Sequence, residues 1–225
     1  ELEGMTPAQL VDTTFQKAGG FTLPGWEPER LQHLKETMER YGDLSQDDMR
    51  RNYRYFLEAV IPTCEKYDVR LAVHPDDPAW EIFGLPRVAH SLNDFQKIMD
   101  MVDSPCNGIT LCTGSLGSDP NNDVPALIRH FCKMGRVPFA HVRNVRFLGE
   151  RKFVESGHLS AEGSLDMYEI MRAFYESGFD GYIRPDHGRT IWGERCRPGY
   201  GLYDRALGLM YIQGIWETLE KSAKR

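Results

Sequence analysis

From Asp68 onward the chain repeats one pattern four times: a short apolar run, a polar loop and an amphipathic helix. The runs are Val69–Val73, Gly108–Leu111, Val137–Ala140 and Gly181–Arg184. None shows the clean alternation of a strand with one wet face, so each predicts a strand covered on both sides. Strand, loop and helix recurring in units of about 30 to 45 residues is the signature of parallel βα units. An open doubly wound sheet and a (β/α)8 barrel of the TIM type both satisfy it. A complete barrel needs eight units in about 250 residues, and the four found here amount to half of one.

The helices have readable ends. Leu31, Leu34, Met38 and Tyr41 form one stripe on a helix over Glu29–Tyr41. A second opens at Ser45, with Asp48 three residues on as a capping partner, and aligns Met49, Tyr53, Phe56, Leu57, Val60 and Cys64. Pro62 is expected to kink its last turns. Ser91 with Asp94 starts a third helix, and Asp123 with Pro125 a fourth that stops at Gly135. Two more are predicted from Ser164 to Gly178 and from Leu202 to Lys221, with loops over Pro75–His90 and Asn144–Gly163. Residues 1–225 read as one domain: a helical region with connectors over 1–68, then four βα units over 69–225.

Composition narrows the class of function. A chain of 225 residues that is 41% hydrophobic and 27% charged can bury a sizeable core. Its five cysteines include no C-x-x-C pair, so neither a disulfide framework nor a zinc finger is indicated. Cys64 and Cys132 fall on helix stripes, whereas Cys106 and Cys196 fall in turns. No apolar stretch approaches the ~18 residues of a membrane helix, and the first residues lack a signal-peptide pattern, so a cytosolic protein without a membrane partner is expected. A net charge of -6 argues against nucleic acid as a partner. Basic residues are nevertheless gathered into two segments. Arg136–Lys152 has five against one acid, and Arg184–Arg197 has four against two. That distribution suits a small anionic ligand.

A residue able to bind a metal stands at the C-terminal end of every predicted strand: His74, Cys112, His141 and Asp186, at intervals of 38, 29 and 45 residues. Strand C-termini of a parallel sheet face one way, so ligands distant in sequence can meet at one ion. Two imidazoles, a thiolate and a carboxylate tolerate zinc, iron(II) or manganese(II) without choosing among them. Polar residues crowd the same ends: Asp76, Asp77, Thr113, Ser115, Arg143, Arg184 and His187. His187, next to Asp186, is suited to proton transfer near neutral pH, and Tyr200, in a Pro-Gly-Tyr turn, is a candidate second acid or base. Together these features point to metal-assisted chemistry on a small anion, whether water loss, isomerisation or hydrolysis.

The segments His74-Pro75-Asp76-Asp77-Pro78, Gly84-Leu85-Pro86-Arg87, Cys112-Thr113-Gly114-Ser115, His141-Val142-Arg143-Asn144, Gly163-Ser164-Leu165-Asp166-Met167-Tyr168-Glu169 and Arg184-Pro185-Asp186-His187-Gly188, in this order, resemble the mannonate dehydratase family. The resemblance implies a (β/α)8 barrel related to the xylose isomerase-like enzymes. It also implies dehydration of D-mannonate to 2-keto-3-deoxy-D-gluconate in hexuronate catabolism, with Mn2+ or Fe2+ as cofactor. Carried over by motif, the metal ligands fall on His74, Cys112, His141 and Asp186, and the acid/base pair on His187 and Tyr200, with their roles unassigned. Arg143 and Arg184 are candidates for the substrate carboxylate, with Asp76 and Ser115 as further substrate contacts.

Against that family, the four units correspond to strands five to eight of the barrel, and the chain reads as the C-terminal portion of a longer protein. Two open sheet edges then predict dimerisation or aggregation. The alternatives are a sugar isomerase of the same superfamily, for which two basic segments have no use, and a catalytically silent metal-binding fragment.

Overall fold

A computed structural model of the protein describes Tyr41 and residues 44–82 and 85–224. The expected helix over Glu29–Tyr41 lies outside the described residues apart from Tyr41, which is helical. Helix α1 spans Gln46–Lys66. Ser45 accepts from the Asp48 N–H while the Asp48 side chain returns to the Ser45 backbone, the reciprocal cap expected from sequence. The helix runs on through Pro62 and buries Leu57, Ile61 and Cys64. Phe56, expected in that stripe, is instead exposed, because the buried face follows the 57, 61, 64 spacing.

The remaining chain alternates as predicted. In order come β1 (Leu71–Val73), α2 (Leu92–Met99), β2 (Asn107–Cys112), α3 (Thr113–Gly117), α4 (Val124–Lys133) and β3 (Phe139–His141). They are followed by β4 (Val145–Gly149), β5 (Lys152–Glu155), α5 (Met167–Glu176), β6 (Tyr182–Arg184) and α6 (Leu202–Ala223). Strands β1, β2, β3 and β6 form one parallel sheet in that order. The strands follow their order along the chain, without the reversal that marks a doubly wound sheet. All of β2 is buried. Ile109 and Leu111 of β2 and Ala140 of β3 join Phe95 and Ile98 of α2, Leu127 and Phe131 of α4, Ile170 and Phe174 of α5 and Ile212 of α6 in one core. Cys106, placed in a turn by sequence, belongs to that core.

Three connections differ from expectation. The loop Asn144–Gly163 contains an antiparallel hairpin, β4 with β5, pairing Val145 with Glu155 and Phe147 with Phe153. Its length and Gly149 in the turn are hairpin signals that the high charge of Arg146, Glu150, Arg151 and Lys152 obscures. The helix expected from Ser164 begins at Met167, capped by Asp166. Ser164 is otherwise engaged: its N–H donates to the Val145 carbonyl, and its hydroxyl accepts from the Phe147 N–H. The segment after Cys112, expected as loop, turns into the short helix α3. Among the described residues, no helix is long and apolar enough to cross a membrane.

Candidate active site

The parallel register brings the strand ends together. Cys112 pairs with His141, and His141 with Arg184, across neighbouring strands. His74 follows β1 directly and Asp186 stands just beyond β6. One ligand atom from each of His74, Cys112 and His141 lies within 4.8 Å of the others. His74 Nε2 is 3.2 Å from His141 Nδ1. Asp186 adjoins two of the trio, Oδ1 lying 3.4 Å from His141 Nδ1 and Oδ2 3.6 Å from Cys112 Sγ. Donors about 2.0–2.3 Å from one ion stand roughly 3–3.8 Å from each other. The separations of 3.2, 3.4 and 3.6 Å fall in that range, and the atoms of the trio all stay within 4.8 Å of one another, so the trio could hold a metal, with Asp186 beside it.

The surroundings fix these groups. Both the N–H and the hydroxyl of Ser115 donate to Cys112 Sγ, at 3.5 and 3.1 Å. Arg143 is fully buried and stands among three carboxylates. Its Nη2 donates to Asp77 at 2.7 Å, its Nη1 to Glu155, and its Nε lies 3.0 Å from Asp186 Oδ2. Burial alone would lower the Arg143 pKa, but Cys112, Glu155, Asp77 and Asp186 raise it, so the guanidinium stays charged. Burial likewise opposes ionisation of Asp186, and His187, Arg143, His141 and Arg184 outweigh it, holding that carboxyl below its ordinary range. Asp186 itself adopts a left-handed backbone, with φ +57°.

His187 and Tyr200 meet at the edge of this cluster with ring centroids 5.6 Å apart. Their segments are tied by two backbone bonds, Gly188 N–H to the Gly199 carbonyl at 3.0 Å and Gly201 N–H to the Gly188 carbonyl at 2.9 Å. His187 Nδ1 lies 2.8 Å from Glu155 Oε1. An ionised carboxylate only accepts, so Nδ1 carries the hydrogen, and in the neutral imidazole Nε2 keeps its lone pair. Burial would raise the Glu155 pKa, but His187 and Arg143 keep it below normal. Glu155 is the residue that sequence reading missed, because it sits on the unrecognised hairpin, 32 positions from His187.

The residues picked from sequence as substrate contacts are placed differently from one another. Arg184 is half-exposed at the rim and donates to Asp186 Oδ1 at 3.0 Å. Ser115 and Arg143 are buried beneath the cluster. Asp76 is turned into its own loop, accepting from the Ala89 N–H at 2.8 Å, and is not brought to the site.

A parallel α/β sheet whose strand ends gather imidazoles, a thiol and a carboxylate able to hold a metal defines the class of protein. The chain belongs to the D-mannonate dehydratase (UxuA) family, whose model matches residues 1–225. It is 61% identical over 224 residues to a mannonate dehydratase of Lachnoclostridium phytofermentans, covering all of this chain and 63% of that protein. It is 54% identical to one of Thermotoga neapolitana, again covering all of this chain and 62% of the relative. The crystal structure of mannonate dehydratase from Streptococcus suis serotype 2 superposes with a TM-score of 0.83 at 42% identity, covering 88% of this chain and 56% of that one. The chain thus spans less than two thirds of the length of these relatives.

Proposed function

We propose that the chain carries the catalytic half of a metal-dependent mannonate dehydratase, a hydro-lyase that converts D-mannonate to 2-keto-3-deoxy-D-gluconate. The observation that carries the reading is the meeting of His74, Cys112, His141 and Asp186 beside the oriented pair His187 and Tyr200. The sequential strand order β1-β2-β3-β6 supports a finer architecture, four successive units of a (β/α)8 barrel with the site at its C-terminal rim.

The mixed donor set suits Mn2+ or Fe2+. When bound, such an ion supplies Lewis-acid polarisation of the substrate carboxylate and neighbouring hydroxyl. The protein's own groups do the rest. Arg184, half-exposed at the rim, pairs with the sugar-acid carboxylate, while the buried Arg143 holds Asp186 and Glu155 in place. Glu155 fixes the tautomer of His187, so Nε2 takes the C2 proton. Tyr200 gives its hydroxyl proton to the departing C3 hydroxyl, which leaves as water. The C2–H and C3–O bonds break, a C2–C3 double bond forms, and the resulting enol becomes the 2-keto acid.

The test is an anaerobic assay of this chain with D-mannonate and Mn2+ or Fe2+, following 2-keto-3-deoxygluconate. Product that disappears with chelator is expected. Turnover of a neutral aldose but not of D-mannonate would overturn the assignment, as would chelator-insensitive product.

A further inference from the structure

His158 takes no part in the chemistry above, yet it is almost completely buried, at 2% exposure, behind the Asp186–His187 segment. Its Nε2 lies 2.8 Å from the Pro185 carbonyl. A carbonyl only accepts, so Nε2 is the donor. Its other nitrogen, Nδ1, has no hydrogen-bond partner among the described residues. That side of the ring faces α6 at Gly208, where an added Cβ would stand 2.3 Å from Nδ1. The helix leaves out a side chain at the one position the imidazole occupies.

The hydrogen bond falls at a telling place. The Pro185 carbonyl belongs to the peptide plane from which the φ of Asp186 is measured, and that φ is +57°. A non-glycine residue stays left-handed only where its surroundings over-determine it. The far end of the same segment is held as firmly. Asp204, buried on α6 one turn before Gly208, accepts from the Arg189 N–H at 2.7 Å and from its Nε and Nη2, each at 3.0 Å. Residues at i and i+4 share one helix face, so α6 grips residues 185–189 at both ends, through His158 at one and directly at the other.

We propose that His158 is a positioning residue: seated on Gly208, it holds the Pro185 carbonyl and thereby sets the direction in which Asp186 and His187 leave the backbone. The inference rests on the metal-site reading above for its consequence, but not for its geometry. A packing role alone needs only a ring-sized apolar group, whereas a positioning role needs the donor. His158→Leu removes the donor and keeps bulk, His158→Gln keeps an amide donor, and Gly208→Ala displaces the imidazole from a position where alanine otherwise favours helix.

Two measurements on the full chain decide it: Mn2+ affinity by competition with a chelating dye, and hydrogen exchange of the Gly188 and Arg189 amides without metal. His158→Leu and Gly208→Ala are expected to weaken Mn2+ binding by about 10- to 100-fold, the cost typical of losing an outer support of a metal ligand, and to speed exchange at both amides. His158→Gln is expected to stay within about threefold of the parent on both. Parent-like affinity and exchange in His158→Leu would overturn the proposal, as would equal losses in His158→Gln and His158→Leu. Should His158→Leu fail to fold, Gly208→Ala and His158→Gln carry the same comparison. Should the parent chain hold no Mn2+, the metal-site reading falls, and the exchange rates alone decide the positioning role.

Discussion

Gly114 is pressed against the side chain of Arg143, and a Cβ at position 114 would stand 2.5 Å from both Cγ and Nε of that arginine. Arg143 cannot retreat without leaving Asp77, Glu155 and Asp186, which it holds together. Gly114→Ala is therefore expected to cost about 1–3 kcal/mol of stability, as for overpacking in a tight interior. Urea unfolding with an unchanged midpoint would show that the arginine has room to move.

Glu155 orients His187 through Nδ1 and also pairs with the buried Arg143, so Glu155→Gln should lower kcat roughly 10- to 100-fold, with KM little changed. The amide still reaches Nδ1 but no longer carries the charge that specifies the tautomer. Parent-like kcat would show that His187 needs no such partner.

The proposed metal ligands and the proposed proton-transfer residue separate experimentally. Cys112→Ala should lose bound metal, read as ion per chain after gel filtration. His187→Asn should keep its metal yet lose about two to four orders of magnitude in turnover. The reverse pattern would exchange the two roles.

His90 supplies a pH signature away from the site. It lies 3.6 Å from the Asp76 carboxylate and 3.4 Å from that of Asp94. Asp76 raises the His90 pKa, against burial and with help from Asp94. A raised imidazole pKa adds stability that is complete below the ordinary value of 6.5 and is lost as pH rises through the folded value. The stability gap between the parent and His90→Gln, on the order of half a kcal/mol for a solvent-screened pair, should be larger at about pH 5.5 than at about pH 9. Urea titrations at the two pH values check the sign, and a gap that widens with pH would contradict it.

How much of this was legible in the sequence depended on where the information lay. The strands were visible because runs such as Ile109–Leu111 are buried on both faces, with Thr110 the one polar residue of the run and its hydroxyl donating to the Ala72 carbonyl. The helix caps at Ser45 and Ser91 were visible because a cap is local chemistry. His74, Cys112, His141 and Asp186 could be grouped because a parallel sheet aligns strand ends whatever its loops do. Glu155 could not be found that way. Its importance comes from a contact with His187 across the sheet rim, delivered by a hairpin whose charges read as a solvated loop. Asp76 reads from sequence as part of the site because it stands two residues after His74, whereas one of its oxygens accepts from the Ala89 N–H within its own loop.

The spacing of the four strand-end residues, 38, 29 and 45 positions apart, has a consequence beyond catalysis. An ion gripped by all of them would clasp four separate βα units and close three long loops at once, so its binding free energy would double as folding free energy. Linkage makes the exchange reciprocal: a lesion in a distant helix such as α5 would register as weaker ion retention, and scarcity of the ion would register as fraying across the whole sheet.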